Sequence, residues 1–343
     1  MAEANNIKEV ARRAGVSLGT VSNVLNRPET VTPAIRQRVL DVIKEVGYVR
    51  NDSARHLRAG RSRTVAIVVL DVANPFFTDI VRGAEQVVER AGGMLVVCNS
   101  GEDLAREQRH LDALEEQRVR GLLITPVGRS SKRVERLVKR GIPVVLVDRG
   151  SGEANRCSVA VDDVMGGRLA ADHLAKAGHR RIAFVGGPFT ITQVTDRHAG
   201  ATQALADRDG DIDLQVIETR SLSANAGRGA AESICALPTA KRPTAVFCAN
   251  DLLALGVLQG LTTGGLRVPQ DVALIGYDDI DYAASAAVPL TSVRQPREQL
   301  GRTAAQLLLE EADDADRHGH RHVVFEPQLI VRQSTSTVRR KGR

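Results

Sequence analysis

Two short apolar stripes separated only by Gly15-Val16-Ser17 constrain the start of this chain more tightly than any other feature. In Ile7-Lys8-Glu9-Val10-Ala11-Arg12-Arg13-Ala14, the residues Ile7, Val10, Ala11 and Ala14 recur at helical spacing. Gly15 suits a left-handed helix end, and Ser17 can cap the next helix by accepting a backbone N–H bond. That helix, Leu18 to Leu25, buries Val21, Val24 and Leu25 and leaves Gly19, Thr20, Ser22 and Asn23 on other faces. Thr32-Pro33 opens a third helix with proline at its first position. Its stripe of Ile35, Val39, Val42, Ile43 and Val46 stops at Gly47. Three short helices with so tight a turn predict a helix-turn-helix, whose second helix enters the DNA major groove. A small helical bundle used for protein contacts is the alternative.

Charge favours the DNA reading. Residues 1–63 hold 12 Lys/Arg against 6 Asp/Glu, a net of +6. The whole chain, at 47 against 41, is also +6, so the other 280 residues balance at 35 against 35. A basic patch confined to the reading head is what phosphate contacts require. Next, Asn51 to Gly60 reads as a capped helix of about two turns, too short to be stable alone. It needs either its symmetry mate or DNA.

These residues resemble the LacI/GalR family of transcriptional repressors. The match lies in Ile7–Ser17, in Thr20-Val21-Ser22, in Val24-Leu25-Asn26, in Gly47-Tyr48, and in Asn51 with Leu57. The resemblance implies a hinge helix that packs in the minor groove with that of a second subunit. Leu57 would then wedge into the central base step, kinking the duplex; its bland role is packing against Ala54. The DNA-contacting set is therefore Ser17, Leu18, Gly19, Thr20, Ser22, Asn23 and Asn26 in the head. In the hinge it is Asn51, Ala54, Arg55 and Leu57. With no side chain at Gly19, Asn23 is the main expected reader, since Asn pairs well with adenine.

From Arg63 the rhythm changes. Thr64–Leu70 is a continuous apolar run, as in a strand covered on both faces, and the stripe Ile80, Val81, Ala84, Val87, Val88 follows. Strand and helix then alternate through Val161, and a second series runs from Val164 to Gly276. Such alternation predicts doubly wound parallel sheets, and two series predict two lobes with a cleft between. The expected class is α/β: a three-helix head and hinge helix, then a two-lobed core. The family resemblance extends here, through Gly264–Asp278, Leu290–Pro296 and Leu329–Arg332. It implies a periplasmic-binding-protein-like core whose chain crosses between lobes near Asp162, Ser292 and His322. The expected division is a head at 1–49, a hinge at 50–62, a core at 63–332 and a basic tail at 333–343. Within the core, lobe 1 takes 63–161 and 293–321, and lobe 2 takes 162–292 and 322–332.

Ligands of such sheets bind at the carboxyl ends of strands. Polar and aromatic residues stand there: Asn74, Phe76 and Phe77 after the first strand, Asp148 and Arg149 after Val144–Val147, and Arg197 at the start of a helix. Asn250, Asp278 and Gln295 complete the set. Carboxylates, planar donors and apolar faces are what a sugar needs. The constellation resembles that of ribose-binding periplasmic proteins. One position departs: Leu222 stands where those proteins carry a stacking phenylalanine. The expected effector is a pentose or 6-deoxyhexose in preference to a nucleobase. Asp148-Arg149 and Asn250 also read as strand-end turns or caps, and Asp251 as a helix cap.

Other chemistry is not supported. Neither a GxGxxG fingerprint nor a GxxxxGK[ST] phosphate loop is present, and no nucleophile elbow, so neither an enzyme nor a cofactor is expected. His318, His320 and His322 form a run, but no cysteine lies nearby and the setting reads as a polar loop, so no metal is expected. Cys98, Cys157, Cys235 and Cys248 are scattered without a CxxC pair and read as reduced thiols. No apolar run is long enough to span a bilayer, and the first residues lack an apolar signal region. The expected protein is cytoplasmic, with no membrane partner. It would be a ligand-responsive repressor that binds double-stranded operator DNA as a homodimer, one head covering each half of a palindrome. A transport-linked sugar-binding protein or a sugar-metabolising enzyme are the competing readings.

Overall fold

The computed structural model describes residues 6–48, 62–128, 132–150, 155–206, 208 and 211–336. The chain divides into two compact units, Met1–Arg61 and Ser62–Arg343. In the first, α1 (Ile7–Ala14), α2 (Leu18–Asn26) and α3 (Pro33–Val46) enclose a core of Val10, Ala11, Ala14, Val21, Val24 and Val39. Asn6 caps α1, accepting from the Lys8 and Glu9 backbone at 3.0 Å. Gly15 ends it with φ 62, a left-handed conformation that any side chain would strain. Ser17 caps α2, accepting from Thr20 N at 3.0 Å.

The second unit holds two six-stranded sheets. The first is built from β1 (Thr64–Val69), α4 (Pro75–Arg90), β2 (Met94–Asn99), α5 (Leu104–Glu116), β3 (Gly121–Ile124), α6 (Lys132–Lys139), β4 (Val144–Val147) and β5 (Cys157–Val161). The chain then enters the second sheet through α7 (Asp163–Lys176). There follow β6 (Arg181–Gly186), α8 (Thr192–Ala206), β7 (Asp213–Glu218), α9 (Ala224–Ala236), β8 (Ala245–Cys248), α10 (Asp251–Thr263), β9 (Ala273–Asp278), α11 (Asp281–Ser285) and β10 (Thr291–Arg294). Last come α12 (Arg297–Asp313), β11 (His322–Phe325) and β12 (Gln328–Ile330). The strand orders are β11-β5-β4-β3-β1-β2 and β12-β10-β9-β8-β6-β7. Every pairing is parallel except β10 with β12. β1, β3, β4 and β5 are almost wholly buried, as strands covered by helices on both faces must be.

Three boundaries differ from the sequence reading. β10 lies wholly in the second sheet, pairing Arg294 with Asp278, so the second crossing falls at Gln295-Pro296, beyond Ser292. β11 pairs with β5, placing His322 beside Ser158, so the third crossing follows Phe325. Local apolar pattern cannot say which sheet edge a four-residue strand will complete. The tail does not begin at 333 either. Ser334 is fully buried, its hydroxyl accepting from Thr291 N at 2.8 Å and donating to Leu274 O at 2.5 Å.

Helix pairs touch through glycines. A Cβ on Gly200 of α8 would overlap the Val164 carbonyl oxygen of α7, and one on Gly167 of α7 would overlap the Arg197 carbonyl oxygen of α8. The two backbones are therefore in direct contact just where Asp163 and Arg197 enter the cleft. No helix among the described residues is long and apolar enough to cross a membrane.

Candidate functional site

Between the two sheets lies a small cavity lined by Leu70, Asn74, Phe76, Phe77 and Asp148 from one lobe. From the other come Ile191, Gln193, Arg197, Leu222, Asn250 and Asp278. Eight of the ten expected ligand residues converge there. Gln295 stands just behind, its amide donating to Asp278 Oδ1 at 2.8 Å. Arg149 does not reach the cavity. Asp148 adopts φ 57, and the Arg149 guanidinium, half-buried, donates to the Gly128 carbonyl. Asn74 and Asn250 are helix caps as well as lining residues. Asn74 accepts from Phe76 N at 3.0 Å, while Asn250 accepts from Leu253 N at 2.9 Å and donates to Leu222 O at 3.0 Å. Asp251 is not the cap expected of it. Fully buried, it accepts from Ser292 Oγ at 2.7 Å and Ile280 N at 2.9 Å.

Arg197 is the electrostatic centre. Its Nε donates to Asp163 at 2.8 Å and its Nη1 to Ala249 O at 2.7 Å. Nη1 also lies 3.8 Å from Asp278 Oδ1. The guanidinium carbon sits 3.7 Å from the centre of the Tyr277 ring, a cation–π geometry. One buried cation thus faces three buried carboxylates: Asp148, Asp163 and Asp278. Burial, with Asp163 nearby, raises the Asp148 carboxyl well above its ordinary range. Burial also pushes Asp278 up to about 6, held back by Arg197 and by hydrogen bonds from Gln295 and Asn74. Asp278 lies at φ 103. Side chains seldom occupy such backbone, and strain of this kind gathers at binding sites.

Sequence reasoning missed Leu70, Ile191, Gln193 and Asp163. Gln193 matters most, because its amide donates to the Asp148 carbonyl at 2.5 Å and to Asp148 Oδ2 at 2.9 Å, linking the lobes. Its position four residues before Arg197 puts both on one helix face, a signal that was available. The cavity measures about 20 Å³, room for a water molecule but far below the roughly 300–1,000 Å³ of a small-molecule pocket. Entry of a sugar requires the lobes to part and the Gln193–Asp148 bond to break.

In the head, Ser17 is occupied as a cap and also lies 2.9 Å from Thr20 Oγ1. Asn26 donates to Ser22 O at 2.8 Å. Leu18, Gly19 and Asn23 are exposed, with Leu18 at 45%. Thr20 and Ser22 are half-buried. The hinge residues Asn51, Ala54, Arg55 and Leu57 lie outside the described residues.

Residues 6–51 match the model of the bacterial regulatory proteins of the lacI family, and residues 171–335 match a periplasmic binding protein-like domain. An HTH-type transcriptional repressor PurR from Aliivibrio fischeri is 33% identical over 329 residues, 96% of this chain and 97% of that protein. The chain belongs to the lacI family. Among solved structures of the family, a CelR–cellobiose complex is 34% identical with TM-score 0.69, covering 96% of this chain and 99% of the other. An Enterococcus faecium LacI-family regulator with bound ribose is 30% identical with TM-score 0.73, covering 80% and 100%. The lac repressor dimer on its operator is 26% identical with TM-score 0.81, covering 96% and 98%. As a lacI-family member the chain is a DNA-binding transcriptional repressor with a ligand-binding core, and not an enzyme.

Proposed function

We propose that this lacI-family repressor acts in the cytoplasm as a homodimer on a palindromic operator. Its effector is a small sugar, a pentose or 6-deoxyhexose, held between the lobes. The division that goes with this reading is a head at 1–49, a hinge at 50–62 and lobes of 63–161 with 297–325 and 162–294 with 328–336. One observation carries the sugar assignment. Asp148 Oδ1 and Gln295 Oε1 are buried acceptors with no hydrogen-bond donor among the described residues, next to carboxylates of raised pKa. Vicinal hydroxyls supply such donors, and because each can also accept they suit a site that sets carboxyls beside a guanidinium and amides. Phe76 and Leu222 offer the apolar faces, and the smaller Leu222 leaves room for a ring that is not tightly sandwiched. The ribose and cellobiose complexes of relatives are in keeping with this chemistry. An effector changes operator occupancy only through its different affinities for the two states of the repressor.

Calorimetric titration with D-ribose tests the assignment. Saturable heat that disappears in Arg197→Ala supports it. No heat at millimolar ribose or 6-deoxyhexose removes the sugar reading and directs the search to nucleobases. Affinity should also depend on pH. Hydroxyls donating to Asp278 favour its carboxylate, so binding expels the proton that the ligand-free site holds below about pH 6. Titration at pH 5 should give about tenfold weaker binding than at pH 7. A pH-independent constant would show that the sugar does not use this carboxylate.

Strand β2 is a free sheet edge with exposed Val97 at 43%, and Val72 and Leu104 beside it are exposed at 41% and 44%. An apolar edge of this kind calls for a covering partner, and we assign it to the dimer interface. Sedimentation equilibrium should show a dimer for the native chain and a monomer for Val97→Asp. A stable tetramer, or an unchanged dimer in the variant, would count against that interface. In the head, Asn23→Ala should lower the ratio of specific to nonspecific binding by about 10- to 100-fold, the loss of roughly 1–3 kcal/mol for a bidentate base contact. Competition between operator and scrambled duplex at one fixed salt concentration reads this ratio. An unchanged ratio would exclude Asn23 as a reader.

A further inference from the structure

At the opposite end of the first sheet from the cavity, the structure gathers four side chains that are far apart in sequence. Cys157, the first residue of β5, is buried. Its Sγ lies 3.2 Å from His318 Nε2 and 4.0 Å from His320 Nδ1. Glu311, near the end of α12, puts Oε2 4.0 Å from His318 Nε2 and 3.9 Å from His320 Nδ1. All four atoms lie within 4.8 Å of one another. The expectation that no cysteine stands near the histidine run is therefore corrected by the fold. That expectation considered only sequence neighbours, and Cys157 reaches the run because β11 pairs with β5.

We propose that Cys157, Glu311, His318 and His320 form a tetrahedral site for a divalent cation of the zinc class. With metal–ligand bonds of about 2.0–2.3 Å, the ligand atoms of a tetrahedral ion stand roughly 3.3–3.8 Å apart. The four spacings above bracket that range within a few tenths of an ångström. Thiolate and imidazole select zinc over magnesium or calcium. Glu311 Oε2 is buried without a hydrogen-bond partner among the described residues, so a cation would satisfy it. The Arg321 N–H donates to Cys157 Sγ at 3.3 Å, the kind of outer hydrogen bond that steadies a metal-bound thiolate. His322 is not a ligand, because its Nδ1 pairs with Ser158 Oγ at 2.9 Å. Four protein ligands close the coordination sphere, which marks a structural ion rather than a catalytic one. Binding requires the thiol proton to leave to solvent. The ion would pin the end of α12 and the segment before β11 to the start of β5.

The test uses the untagged full chain, freed of metal with a chelator and titrated with Co²⁺, then with Zn²⁺ in competition. The expected result is one ion per chain, with the strong visible absorption of tetrahedral cobalt and a near-ultraviolet thiolate charge-transfer band. Cys157→Ser should remove that band, and His320→Ala should weaken Zn²⁺ binding by about 100-fold or more. Zn²⁺ should raise the melting temperature of the native chain but not of His320→Ala. Should Cys157→Ser fail to fold, His320→Ala decides the matter, since this histidine is the most exposed of the four. A weak octahedral cobalt spectrum, or binding unchanged by both substitutions, would mean that the histidine run collects ions unaided and would overturn the site. So would no binding at all.

Discussion

Arg197→Ala unfolds at a lower denaturant concentration than the native chain, with a loss of about 3–5 kcal/mol at pH 7, and it binds no sugar. The magnitude is that of leaving buried charges without their partner. Removing this one guanidinium leaves the buried Asp163, Asp148 and Asp278 without the cation they face, so any of them that stays ionised is unpaired and repelled by its neighbours. It also removes the donor to Ala249 O and the cation over Tyr277. The deficit should shrink as pH falls. Asp278 already titrates near 6 with Arg197 present, and without that cation its pKa can only rise. Below that value the carboxyl is neutral in the folded variant and repulsion fades. Urea unfolding of both proteins at pH 5 and pH 7.5 would measure this. A deficit as large at pH 5 as at pH 7.5 would show that Arg197 acts through packing, not charge.

Gly200→Ala should be nearly as damaging, although it adds only one methyl group and removes no charge. The new carbon would meet the Val164 carbonyl oxygen. Backbone cannot yield as a flexible side chain would, so α7 and α8 must separate, at a cost of about 3 kcal/mol, the upper part of the overpacking range. Because Asp163 opens α7 and Arg197 lies within α8, the separation would also stretch their 2.8 Å bond. Sugar affinity should therefore fall along with stability. Ala170→Gly, which loosens α7 without forcing it from α8, should cost stability while sparing affinity. Thermal unfolding and calorimetry on the two variants separate these effects. Equal loss of affinity in both would mean that helix spacing does not set the Asp163–Arg197 geometry.

The sequence by itself determined what depends on neighbours along the chain. The stripe Ile7, Val10, Ala11, Ala14, the left-handed Gly15 and the Ser17 cap appear in the fold as read, because periodicity and capping act within one or two turns. The parallel lobes were legible for the same reason, since a run such as Thr64–Leu70 has no polar face to give to water. At the site, residue types at strand ends pointed to Asp148, Arg197 and Asp278, because doubly wound sheets put those ends in one place.

Tertiary structure alone decided which way side chains turn and which distant segments meet. The left-handed backbone at Asp148 accompanies the outward turn of Arg149, and no local pattern announces that conformation. The bond from Gln193 to Asp148 depends on how two lobes approach, a long-range quantity. The edge that β11 completes is likewise set by the whole sheet. Through that pairing, Cys157 meets His318 and His320 across more than half the core, and a histidine run that looked like a polar loop becomes part of a four-ligand cluster. Periodicity places residues on faces, but the pairing of distant strands determines which of those faces meet.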